Sequence, residues 1–264
     1  LGCGSALTLV RLVVGLAGVL AAWQAWTFPG DEQRAFRVAV ALAALAIALL
    51  RPDQRELPFR AAPLCFAALW VPGIGPALAL GVGGYSLTRR WPIVVLALLV
   101  LPLDPWFATS IRWPLQVVTA ALGGILTFDW PLFDGATVYL DVDCTRFCSV
   151  GSHLGTEPFR INDKCAGLAQ VESMLALTSA MLLLLVRRPI ARRAVLFVAL
   201  APVFAIALNG ARIACSVWIG RLVGRGPWEG WIHDLPGLVC TALLVYFLAR
   251  NMSWFEKPIS RHAA

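Results

Sequence analysis

Long apolar runs broken by short polar connectors make up almost the whole chain. A helix that crosses a bilayer needs about 20 mostly apolar residues. On that criterion the pattern predicts spans at 6–26, 36–50, 61–87, 91–103, 112–128, 166–186, 194–219 and 234–249, with the second and fourth short. The sequence therefore reads as an all-α, polytopic integral membrane helix bundle of about eight spanning helices, forming a single transmembrane domain over 1–264. The first run has the length of a signal-peptide core. It lacks a small-x-small cleavage site followed by polar sequence, so the reading keeps it as a helix.

One long polar stretch interrupts the pattern, at about 129–164. It carries Asp129, Asp134, Asp141, Asp143, Glu157 and Asp163. Phe133-Asp134-Gly135-Ala136 reads as a turn, and Thr137-Val138-Tyr139-Leu140-Asp141-Val142 has strand character. The expectation is a small external loop with a hairpin.

Composition agrees with lipid as the outer solvent. Hydrophobic residues make up 59% and charged ones only 14%, which leaves too little polar surface to cover a soluble globule. The net charge of +7 would suggest nucleic acid in a soluble protein. Here the basic residues are scattered between apolar runs rather than gathered on one stripe, so no nucleic-acid partner is expected. They report orientation instead, because Arg and Lys gather in cytoplasmic loops. The connector 187–193 holds Arg187, Arg188, Arg192 and Arg193, the connector 51–60 holds Arg51, Arg55 and Arg60, and the tail holds Arg250, Lys257 and Arg261. Eight spans put all three on the cytoplasmic side, with both termini inside a cytoplasmic (inner) membrane and the 129–164 loop extracytoplasmic. Arg89 and Arg90 fall on the wrong side in this arrangement.

Ionisable residues inside spans are costly and are functional candidates by default. Arg11, Glu172 and Arg212 stand out. Arg11 lies near a helix end and can snorkel to the interface. Arg212 follows Asn209 by three residues, so the two share a helix face. Its bland reading is a structural partner for a buried carboxylate such as Glu172. Glu172 lies two turns past Cys165, and its expected role is to pair with Arg212 or another buried cation. Of seven cysteines, Cys3, Cys65, Cys215 and Cys240 lie in or beside apolar runs and read as packing residues. Cys144 and Cys148 lie in the polar loop, where a structural disulfide between them is one reading. Cys165 lies where the sixth span begins, and a helix N-terminus favours the thiolate. His233 lies at the outer start of the last span. Each of these signals has a bland reading by itself. Together, topology gathers Cys165, Arg212 and His233 at one membrane face on three consecutive helices. A thiolate nucleophile, a cation for a developing oxyanion and a general base are the minimal kit for acyl transfer through a thioester.

At these positions the chain resembles the exosortase/archaeosortase family of membrane transpeptidases. The residues that carry the resemblance are Cys165-Ala166-Gly167, Asn209-Gly210-Ala211-Arg212 and His233, preceded by Arg112-Trp113-Pro114-Leu115-Gln116 and Phe133-Asp134-Gly135. It covers about 112–249, the expected catalytic core region, while the first hundred residues match only as generic spanning helices. The chain departs from the family in Ala166, where Ser is common after the Cys, and in the Cys144/Cys148 pair with its long 143–164 insert. The resemblance implies a cysteine protease or transpeptidase with Cys165 as nucleophile, Arg212 as oxyanion stabiliser and His233 as general base and acid, supported by Asn209 and Glu172. It implies no cofactor and no metal. Its partners would be exported proteins ending in a short motif, a spanning helix and a basic cluster, and a lipid or glycan acceptor, all within membrane lipid. Two other readings stay open. One is a quinone-linked membrane disulfide oxidoreductase using Cys144, Cys148 and Cys165; it leaves Arg212 and His233 without a task. The other is a non-enzymatic transporter or assembly subunit whose path Arg212 and Glu172 would line.

Overall fold

The computed structural model describes residues 3–27, 33–50, 61–71, 74–101, 103–128, 130–134, 137–140, 159–161, 167–186, 190–223 and parts of 238–254. Their order is α1 (Cys3–Thr27), α2 (Arg34–Leu50), α3 (Ala61–Leu69), α4 (Gly75–Thr88), α5 (Pro92–Leu98), α6 (Leu103–Thr127), β1 (Leu132–Asp134), β2 (Thr137–Leu140), β3 (Phe159–Ile161), α7 (Leu168–Leu185) and α8 (Ala191–Val223). The described residues between 238 and 250 are also helical. The chain groups into two compact units. The first holds Leu1–Trp106, Glu172–Ala199 and Phe255–Ala264; the second holds Phe107–Val171 and Leu200–Trp254.

This is a helical membrane protein, and α1 shows why. Val10, Val14, Ala17, Ala21 and Ala25 form its buried stripe at helical spacing. Leu9, Leu12, Leu16, Val19 and Trp23 are exposed on the other faces. The larger apolar side chains point outward and the smaller ones inward, which suits a helix whose solvent is hydrocarbon. Among the described residues, Thr8–Thr27, Leu168–Leu185 and Arg192–Ile219 are long and apolar enough to cross a membrane.

The expected span over 61–87 is replaced by two helices that double back. Val71-Pro72-Gly73-Ile74-Gly75-Pro76 interrupts the apolar run, and the prolines and glycines disfavour a continuous helix there. A Cβ on Gly83 would lie 3.2 Å from Cys65 Sγ, and one on Gly75 would lie 2.7 Å from the Ala68 carbonyl oxygen. A straight helix would hold residues 65 and 83 about 27 Å apart. So α3 and α4 run antiparallel, as a helical hairpin. The expected span at 91–103 is also shorter, because α5 is only 7 residues and Pro102 follows it.

Helix α4 is the centre of the first unit, and missing side chains let it be so. A Cβ on Gly84 would sit 2.8 Å from Ile93 Cγ1 of α5 and 3.7 Å from Ala48 of α2. One on Gly83 would strike Val14 of α1. Gly18 of α1 admits Leu45 of α2 in the same way. Close approach through small residues is the usual means of holding helices together where lipid offers no hydrophobic drive.

A buried ion pair ties further elements into this unit. Arg37, in the first turn of α2, is 0% exposed. Its Nη2 donates to Glu172 Oε1 at 3.3 Å and Oε2 at 3.4 Å, and its Nη1 donates to the Leu99 and Leu101 carbonyls. Those carbonyls follow the last turn of α5, where orphan acceptors and the negative end of the helix dipole favour a cation. Arg90 does the same for α7, its Nη1 donating to the Leu183 oxygen at 2.9 Å and the Val186 oxygen at 2.7 Å. Arg37 has no counterpart among the charges singled out from sequence.

In the second unit β1 and β2 form an antiparallel hairpin in which Asp134 faces Thr137, and β3 pairs with β2 to give the order β1-β2-β3. The strands take in Phe133 and Asp134 of the expected turn, and Gly135 and Ala136 lie outside the described residues.

Removing one partner of a buried pair leaves an uncompensated charge, which costs about 3–5 kcal/mol. Arg37→Met and Glu172→Gln are each expected to lower the unfolding temperature of the detergent-solubilised protein sharply. The double variant Arg37→Met/Glu172→Leu is expected to lose less than the two single losses added. Additive losses in thermal unfolding would show that the two charges do not support one another.

Candidate active site

Gly167, just before α7, packs on Asn209 of α8 within the second unit. Gly167 has φ +86°, a left-handed conformation that favours glycine. Its carbonyl accepts from the Val171 N–H at 2.9 Å, so it caps the start of α7. A Cβ at this position would lie 2.6 Å from Asn209 Nδ2 and 3.1 Å from Asn209 Cγ. Both the backbone angle and the space therefore call for glycine. Cys165 is two residues upstream and, with Ala166, lies outside the described residues.

Asn209 is fully buried on α8, and its Nδ2 donates to Thr119 Oγ1 on α6 at 3.5 Å. The next residue, Gly210, lets α6 come close: a Cβ there would sit 2.7 Å from Leu122 Cβ. Two turns further on, Trp218 Nε1 donates to the Leu126 carbonyl at 3.2 Å. Together these contacts pair α6 and α8 in parallel, with 119, 122 and 126 beside 209, 210 and 218.

Arg212 lies three residues past Asn209, on the same face, and is partly buried. Its Nε is buried and has no hydrogen-bond partner among the described residues. Glu172, the carboxylate considered for it, bonds Arg37 instead. The Glu172 expectation of a buried cationic partner is thus met by Arg37. Gln170, in the first turn of α7, also has a buried Oε1 without a partner among the described residues.

The remaining sequence candidates divide as follows. His233, Cys144 and Cys148 lie outside the described residues. Arg11 is exposed on α1, as suits a residue that snorkels. Cys65 is buried, whereas Cys215 is exposed on α8 and is not the packing residue expected. The sequence reading missed Thr119. The available signal was Gln116 and Thr119 at i, i+3 in a largely apolar stretch, and both are buried on α6.

Gly167→Ala combines a strained φ, which costs a non-glycine residue roughly 1–2 kcal/mol, with a collision against Asn209. The variant is expected to unfold at a lower temperature than the parent. Asn209→Ala in the same chain should relieve part of that loss by removing the struck side chain. An unchanged unfolding temperature in Gly167→Ala would contradict the packing.

No curated protein and no solved structure matches the chain. A family model, described as transmembrane exosortase, matches residues 5–249, nearly the whole chain and well beyond the 112–249 region that carried the resemblance. With helices that suit lipid and with Gly167 packed on the Asn209-Gly210-Ala211-Arg212 segment, the protein belongs to the transmembrane exosortase family.

Proposed function

We propose that this protein is a membrane cysteine peptidase and transpeptidase that cleaves the C-terminal sorting tail of exported proteins. One observation carries the reading more than any other. Gly167, two residues after Cys165, packs on Asn209, three residues before Arg212. This packing supports a nucleophile working on one substrate with Arg212, whose Nε has no partner among the described residues.

In the proposed reaction the Cys165 thiolate attacks the carbonyl carbon of the scissile peptide. The C–N bond breaks, and His233 gives the leaving amine its proton. The product is a thioester, with the new C–S bond on Cys165. An acceptor nucleophile, on a lipid or a glycan, or water, then attacks the same carbon. Its proton goes to His233, the C–S bond breaks, and the thiolate returns. Arg212 stabilises the oxyanion formed in both steps, where low dielectric strengthens its pull. A planar fork holds that oxygen in fixed geometry, which an ammonium does not.

The arginine-rich connector 187–193 argues for a cytoplasmic location of that end of α7. The 129–164 loop, Cys165 and His233 then face the extracytoplasmic side of a cytoplasmic (inner) membrane, with both termini inside.

The test is processing of a co-expressed substrate with a motif, spanning helix and basic tail, read as the shift from precursor to cleaved form. Cys165→Ala and Cys165→Ser are expected to abolish cleavage at normal expression, and His233→Ala nearly so. Arg212→Lys should slow it about 10²–10³-fold, the usual cost of an oxyanion donor. Replacing Cys144 and Cys148 should leave it intact. Continued processing by Cys165→Ala would end the proposal; dependence on Cys144 and Cys148 with processing lost would favour disulfide chemistry.

A further inference from the structure

The fold of residues 61–88 changes which parts of the chain share a membrane face. Helix α4 has 14 residues and α3 only 9, or about 21 Å and 14 Å at 1.5 Å per residue. Both fall short of the roughly 30 Å hydrocarbon core. Their antiparallel packing, fixed by Gly83 on Cys65 and Gly75 on Ala68, puts Ala61 and Thr88 at the same end of the hairpin. At the opposite end is the turn, where Phe66 and Trp70 stack edge to face with ring centroids 6.3 Å apart, and Trp70 is 75% exposed. A hydrophobic tip and a polar open end fit a segment that enters the bilayer and returns.

The open end can be located within its unit. Arg89 is the left-handed cap of α4, its N–H bonding the Tyr85 carbonyl. Arg90, next in the chain, places its guanidinium on the last carbonyls of α7, Leu183 and Val186. Arg187 and Arg188 follow Val186 directly, and Arg192 is exposed in the first turn of α8. The connector with Arg51, Arg55 and Arg60 joins the hairpin at Ala61.

We propose that α3 and α4 form a re-entrant helical hairpin, which brings Arg89 and Arg90 to the same membrane face as the end of α7 and Arg192 of α8, and that this face binds anionic lipid head groups. Arg89 and Arg90, on the wrong side if 61–87 crosses once, rejoin the other basic segments when the chain doubles back. Arg89, which caps α4, and Arg192, in the first turn of α8, are both exposed, and guanidinium groups match phosphate head groups in charge and in bidentate geometry.

Two measurements test this, and the first is independent of the catalytic reading because it compares positions with one another. Arg89→Cys and Arg192→Cys are labelled with a membrane-impermeant maleimide in sealed cells and in opened membranes, against the parent's own cysteines. Thr137→Cys in the hairpin strand serves as the opposite-side reference. Positions 89 and 192 are expected to label alike, and unlike 137. Labelling of 89 in the pattern of 137 would overturn the hairpin, whatever becomes of Cys165. In the second, the purified full chain is heated with phosphatidylglycerol or phosphatidylcholine. Phosphatidylglycerol should raise the unfolding temperature more, and Arg89→Gln/Arg192→Gln should lose most of that difference. Equal stabilisation of the parent by both lipids would overturn the head-group assignment.

Discussion

A guanidinium buried where water cannot reach must find every partner inside the protein, and Arg37 imposes that constraint on the first unit. Its donors go to the Glu172 carboxylate and to the Leu99 and Leu101 carbonyls. A buried pair is weak evidence for net stability, because both ions lose hydration. Its strength is specificity: few arrangements of α2, α5 and α7 satisfy the same donors at once. The glycine contacts of α4 complement this from the apolar side, since they allow close approach without dictating depth. Charge sets the register of the elements and small residues set their spacing.

Arginine is also used to finish helices. Arg90 on the end of α7 and Arg37 beyond the end of α5 both meet carbonyls that have no partner within their own helix. In water such carbonyls cost little, since solvent completes them. In lipid each unsatisfied group costs several kcal/mol, so a short helix such as α5 depends on an external donor. This explains how a helix of 7 residues can persist in the interior of a membrane protein.

Most of the fold class was legible in the sequence, because lipid as solvent turns length and hydropathy into a direct reading of spans. α1, α7 and α8 lie close to the runs that predicted them. Residues 61–87 were misjudged because summed hydropathy outweighed Pro72, Gly73, Gly75 and Pro76, although those four residues stated the break. Arg37 escaped notice for a different reason. It stands in the first turn of α2, where a charge is normally read as an interfacial anchor, and only the packing of Glu172 shows it to be buried. For the candidate site, Cys165 and His233 lie outside the described residues, and the demand on Gly167 was not legible in the sequence. That glycine is required by the position of Asn209, a residue 42 places away in the chain, which no local pattern encodes.

The segment Asn209-Gly210-Ala211-Arg212 shows why spacing alone made a weak motif and packing makes a stronger one. Asn209 fills the space left by the missing side chain of Gly167, so it fixes α8 against the start of α7. Gly210 accepts Leu122 and fixes α8 against α6. With two neighbours pinned within a single turn, the helix has little freedom to rotate at this point. Arg212 follows less than one turn later and inherits that orientation. Its Nε, buried and unengaged among the described residues, carries an unspent hydrogen bond in a setting where such groups are expensive. Arg37 and Arg90, which hold helices together, place their terminal guanidinium nitrogens on carboxylate and carbonyl oxygens. On the proposed reading the donor is held for the oxygen of a substrate, and the residues beside it serve to keep it waiting in one place.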